Sequence, residues 1–142
     1  MRLNRFLIAL LLSMCSQYCL ALDTTEACSE LEEQRNALLS KLSTSIKEAN
    51  MAGQCIGWRA IKNSKTIELN NPCNEFLEQK NNLLGNMSTS LIEANKAGIC
   101  LGAIYAACGS TSYSVAAQRI ADNSYREINK YDIRRITDCY GW

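Results

Sequence analysis

The sequence predicts an all-α fold: a disulfide-stapled helical bundle built from a tandem repeat of helical hairpins plus a C-terminal helical segment. Three observations predict it. Apolar residues recur at three-to-four spacing along most of the chain. A segment bounded by two cysteines occurs twice in the same register. Six of the eight cysteines lie beyond an amino-terminal stretch that reads as an export signal. With 142 residues the chain has room for one domain and not for two large independent cores.

Residues 1–21 carry the marks of a secretory signal peptide. Arg2 and Arg5 supply a positive leading region, Phe6 to Met14 form the apolar stretch, and Cys19 and Ala21 stand at the small-residue positions before cleavage. That stretch is too short to span a bilayer, and no later segment approaches ~20 apolar residues, so the expectation is a soluble mature protein. Lipid anchoring through Cys15 or Cys19 is the rival reading. Each is preceded by a bulky residue, Met14 or Tyr18, where lipoprotein processing needs a small one. Without Arg2 and Arg5, 13 basic residues face 14 acidic ones, a net charge of −1. So balanced a chain has no electrostatic reason to seek nucleic acid.

The expected domain covers 22–142, with repeat one at 28–57, repeat two at 73–102 and a C-terminal segment from 103 to 142. The repeats, CSELEEQRNALLSKLSTSIKEANMAGQCIG and CNEFLEQKNNLLGNMSTSLIEANKAGICLG, align without a gap at an offset of 45, with 17 of 30 positions identical. A period of this kind dictates architecture. Leu31, Leu38, Leu42, Ala49 and Ile56 fall on one helical stripe, as do Phe76, Leu83, Met87, Ala94 and Leu101. Asp23 with Glu26 forms a capping signal ahead of the first unit, and Asn71 before Pro72 does so for the second. Residues 58–70 read as a helical extension ending at Asn70. Gly109 to Ser112 form a loop or cap, 113–122 a helix with Val115, Ile120 and Ala121 as its apolar side, and Lys130 to Cys139 a last helix carrying Tyr131, Ile133 and Ile136. Strand content should be minimal.

Within each unit two geometries compete. A single helix through both cysteines would hold Cys28 and Cys55 ~40 Å apart, beyond any disulfide. A hairpin brings them level. Gly85 and Asn86 mark a break at the middle of the second unit, and Ser45 with Glu48 and Ser90 with Glu93 spell capping boxes for a new helix just beyond. The hairpin is favoured, and it pairs Cys28 with Cys55, Cys73 with Cys100, and leaves Cys108 for Cys139. The long helix would instead join Cys55 to Cys73 and Cys28 to Cys108. The Ala-Gly-x-Cys elements, followed by Gly57 and Gly102, place glycines at i and i+4, where a neighbouring helix can approach closely.

Chemistry is sparse. The chain has no histidine, which removes nucleophilic systems built on it and the commonest general base. No C-x-x-C pair points to zinc, no cofactor is implied, and no catalytic residue is assigned. Glu48 and Glu93, equivalent in the repeat, are the one carboxylate pair open to a small hydrolase, with helix capping the simpler reading. Glu33 and Glu78, with Gln34 and Gln79, read as a solvated face. Arg126, Lys130, Arg134 and Arg135 form a basic cluster interleaved with acids, so weak anionic-membrane contact is a lesser alternative. Trp58, Tyr105, Tyr140 and Trp142 are the candidate interface residues. Asn86-Met87-Ser88 is a glycosylation sequon.

The stretch GICLGAIYA at 98–106, with Gly98, Cys100, Gly102 and Ile104, followed by a helical tail closing on Cys139, resembles the Rap/Tai type of type VI secretion immunity proteins. The resemblance covers about 40 residues and carries over no functional residues. It implies a small periplasmic helical protein that neutralises a cell-wall-cutting toxin by binding it. Together these readings lead to an exported, non-catalytic binding protein that acts on another protein, in the periplasm or outside the cell.

Overall fold

A computed structural model describes residues 22–36, 45–81, 90–109, 111–123 and 126–139. Six α-helices follow in order among them: α1 Thr24–Asn36, α2 Ile46–Lys62, α3 Asn70–Asn81, α4 Leu91–Cys108, α5 Tyr113–Ala121 and α6 Lys130–Thr137. The described residues contain no named strand, only an isolated antiparallel bridge between Ile67 and Ile128. The signal-peptide and lipidation readings, the sequon, and the stripe positions Leu38, Leu42, Leu83 and Met87 lie outside the described residues.

Each repeat unit contributes two helices and one staple. Cys28 and Cys55 bring α1 and α2 to a Cα–Cα distance of 4.9 Å, and Cys73 and Cys100 bring α3 and α4 to 5.0 Å. A continuous helix cannot do this, so the chain folds back inside each unit. The third bridge, Cys108–Cys139, ties the end of α4 to the residue following Asp138, the cap of α6. The capping boxes fall where the repeat placed them. Ser45 Oγ accepts the Glu48 N–H at 3.2 Å while the Glu48 carboxylate accepts the Ser45 N–H at 2.7 Å, and Ser90 with Glu93 repeats both distances. Each box satisfies two helix-start N–H groups and ends any continuation of the preceding turn. Asp23 caps α1 by accepting from the Thr25 and Glu26 amides.

The centre of the fold is the packing of α2 on α4, which run side by side in the same direction. A Cβ built on Gly53 would stand 2.0 Å from the Asn95 carbonyl oxygen, and one on Gly57 2.1 Å from that of Ile99. Reciprocally, a Cβ on Gly98 would stand 2.0 Å from Asn50 O and one on Gly102 1.9 Å from Gln54 O. Backbone lies directly against backbone, which only glycine permits. Two amides lock the contact: Asn50 Nδ2 donates to Ala94 O at 3.1 Å and Asn95 Nδ2 to Ala49 O at 3.0 Å. Every one of these contacts has a counterpart 45 residues away, so the two central helices are related by a local two-fold.

The main core is off-centre. It gathers Leu69, Cys73, Cys100, Ala103, Ile104 and Ala107 with Ala116, Ala117 and Ile120 of α5, Ile128, and Ile133 of α6, joined by Ile61 from the end of α2. It therefore belongs to the second unit and the C-terminal segment, and α1 buries only Ala27. α4 is the one described helix long and apolar enough to cross a membrane, and 50% of that stretch is buried inside the fold.

Four expectations need correction. Residues 58–70 are not one helical extension: α2 ends at Lys62, Asn63 caps it, and Ser64 adopts φ 56°. The chain then crosses to pair Ile67 with Ile128, both N–H···O distances 3.0 Å, because that exchange satisfies a backbone leaving one helix for the next. The second unit begins at Asn70 rather than with Asn71 as cap, and Asn70 Nδ2 reaches Ala121 O and Asn123 O instead. Val115 is 53% and Tyr131 78% exposed. Ala116, Ala117 and Ile120 take the core face of α5, and Ile133 with Ile136 takes that of α6, so the 100° step turns the two outward. Gln79 is only partly on a solvated face, since its Nε2 is buried, with no hydrogen-bond partner among the described residues.

Candidate functional site

Two surface features stand out: a cleft at the seam of the repeats, and an aromatic-cationic face on the first unit. The cleft encloses about 660 Å³. Leu22, Asp23 and Glu26 line it from the start of α1, Gln54 from α2, and Phe76 with Leu101 from the second unit. The segment 111–114 closes the far side, beside Lys80, whose ammonium donates to Ser114 Oγ. Gly109 makes this closure possible. It caps α4 at φ 68° and ψ −137°, a conformation barred to side chains, and turns the chain from α4 into α5. Apolar walls with a few hydroxyls and charges at the rim suit the insertion of an apolar group.

On the first unit, Arg59 Nη1 meets Glu32 Oε1 at 2.7 Å, and Arg35 stands 4.0 Å from the same oxygen. The bonded Arg59 guanidinium holds the Glu32 carboxyl below the ordinary glutamate range. Partial desolvation opposes this, and the charges of Arg59 and Arg35 add to it. One turn along α2, the Lys62 ammonium lies 5.9 Å from the centroid of the Trp58 ring.

Of the residues singled out in the sequence, all six cysteines beyond residue 21 are paired as the hairpin geometry required. Trp58 is half-buried against the core, and Tyr105 is half-buried on α4. Tyr140 and Trp142 lie outside the described residues. Glu48 and Glu93 are both committed to their capping boxes. The basic tail is engaged as well: Arg134 Nε donates to Ala107 O at 2.8 Å, and Arg135 pairs with Asp132 at 2.9 Å. Among the described residues no cluster of His, Cys, Asp or Glu is placed to hold a metal ion.

Sequence reasoning missed the ion pair, the exposed side chains of Ile92 and Tyr131, and the α6 capping box, in which Asn129 Oδ1 accepts from Tyr131 and Asp132. The box was readable as Asn-x-x-Asp at 129–132. The ion pair was not, since 27 residues separate its members. Comparison with protein-family models, curated proteins and solved structures finds no match. The site therefore stands on its own geometry: a disulfide-linked helical bundle, of the kind formed in an oxidising compartment.

Proposed function

We propose that this is an exported, non-catalytic binding protein that acts by engaging another protein, as a periplasmic immunity or inhibitor protein or as a secreted effector. Export follows from the signal-like residues 1–21 and agrees with the disulfides. The carrying observation is a stapled scaffold that leaves large apolar side chains outward. Tyr131 and Ile92 are 78% and 71% exposed, and the seam holds a cleft walled by Phe76 and Leu101. Ordering such groups in advance lowers the entropic cost of association, which is what a binding scaffold requires. The resemblance of 98–106 to Rap/Tai-type immunity proteins points the same way and favours a cell-wall-cutting toxin as the partner.

The test is to produce the oxidised protein from residue 22 onward and incubate it with periplasmic and host extracts. The expected result is a saturable complex with one protein, with a toxin gene adjacent if the role is immunity. Recovery of the protein alone from every extract refutes the reading. Paired-carboxylate hydrolysis needs Glu48 and Glu93 free of their caps, which both now make, and membrane contact through the basic tail has no observation in its favour beyond the charges themselves.

A further inference from the structure

We propose that the face formed by Trp58, Arg59 and Lys62 of α2 with Glu32 and Arg35 of α1 docks an acidic helical segment of the partner protein. This rests on the binding reading above and names its surface and partner chemistry. The argument comes from the repeat. At the 45-residue offset, this face corresponds to Ala103, Ile104 and Ala107 of α4 with Leu77 and Lys80 of α3. In the second unit that face is closed. Ala103 and Ile104 are 0% exposed, α5 and α6 pack over it, and Lys80 reaches Ser114 of α5. Among the described helices, none packs over α1 and α2 as α5 and α6 pack over α3 and α4.

The first unit therefore keeps the frame that seats two short helices, with no described helix covering it and with its side chains changed. Where Ile104 is buried and Leu77 packs against the core, Glu32 and Arg59 form an ion pair with side chains 47% and 39% exposed. Where two alanines make room for α5, Trp58 and Lys62 stand instead. Of these five side chains three are cationic, Arg35, Arg59 and Lys62, and one is a carboxylate, Glu32, a net charge of +2 for the group. An indole flanked by cationic side chains with apolar stems suits an apolar residue bordered by Asp or Glu. The covering helices of a second copy are the poorer occupants by charge, and its acidic α1 is already stapled to its own α2 through Cys28–Cys55. Its α5 carries Arg119 and no acid, and its α6 carries three basic residues against Asp132.

The test is photo-cross-linking with the oxidised protein carrying p-benzoylphenylalanine either in place of Lys62 or in place of Gln118, which is exposed on α5. Extracts are those in which complex formation is tested. The expected result is an adduct from position 62, none from position 118, and an acidic cross-linked peptide. Unlabelled wild-type protein should compete, and Arg59→Glu and Trp58→Ala should each compete at least about tenfold less well. Because Trp58 also touches the core, the exposed Arg59→Glu change keeps the test valid if Trp58→Ala fails to fold. An adduct from position 118 alone, or undiminished competition by Arg59→Glu, overturns this surface and leaves the binding reading standing. An adduct with a second copy of this chain overturns the partner chemistry. No adduct and no complex in any extract overturns both.

Discussion

Replacing Gly102 by alanine probes the contact on which the two-fold depends. The added Cβ would lie 1.9 Å from Gln54 O, 2.7 Å from its carbonyl carbon and 2.9 Å from its Cα, all of them backbone atoms that cannot rotate away. Ordinary carbon contacts begin near ~3.5 Å, so α2 and α4 must part by roughly 1.5 Å. That movement stretches the Asn50–Ala94 and Asn95–Ala49 hydrogen bonds, now 3.1 and 3.0 Å, beyond useful range. Overpacking costs about 1–3 kcal/mol. The two amide bonds contribute about 1 kcal/mol each, and alanine's better helix propensity returns about 1 kcal/mol. The expected net loss is therefore about 2–4 kcal/mol, or a fall in Tm of roughly 8–16 °C for a domain of this size. Thermal and urea unfolding followed by circular dichroism, without reductant, measures it. By the two-fold, Gly53→Ala and Gly98→Ala should agree within about 1 kcal/mol. A Gly102→Ala protein as stable as the parent, or more so, would show that backbone contact does not hold α2 to α4.

Further predictions concern staples, caps and charge. Replacing Cys73 and Cys100 together, which opens a loop with a sequence separation of 27, should cost about 3–4 kcal/mol in urea unfolding. An unchanged midpoint would contradict a constraint exerted through the unfolded chain. Ser45→Ala and Ser90→Ala should each cost about 1 kcal/mol and match each other, because their cap distances are identical. A large difference in unfolding midpoint between them would break the equivalence of the repeats. The Glu32 carboxyl is depressed, so its pairing contributes stability above the unfolded carboxylate pKa and loses it as pH falls through the lower folded value. Carboxyl NMR titration should show that depression largely removed in Arg59→Gln. A titration that does not move would mean that another group holds the charge.

Much of the architecture was legible because it rests on local chemistry. Ser45 with Glu48 and Ser90 with Glu93 announce helix starts through bonds spanning three residues, and those bonds form wherever the rest of the chain lies. The disulfide pairing followed once the helices were broken, since a broken helix brings Cys28 to Cys55 and an unbroken one cannot. The end of α2 was misplaced because a helix stops where its carbonyls find better partners. The pairing of Ile67 with Ile128, 61 residues apart, leaves no trace in local composition.

The linear order of residues thus showed the duplication and the starts of α1, α2 and α4, and it favoured the hairpin pairing of the cysteines, because propensity, capping and reach along the chain act over short distances. Only the tertiary structure decided which glycine stripe meets which, that α5 and α6 cover the second unit, and that Glu32 and Arg59 pair in the first unit where the second has Leu77 and a buried Ile104. The two copies share 17 of 30 residues, and yet among the described helices only the second copy is covered. A repeat encodes equivalent faces, and the free energy of burial then falls to whichever face its neighbours in three dimensions can reach.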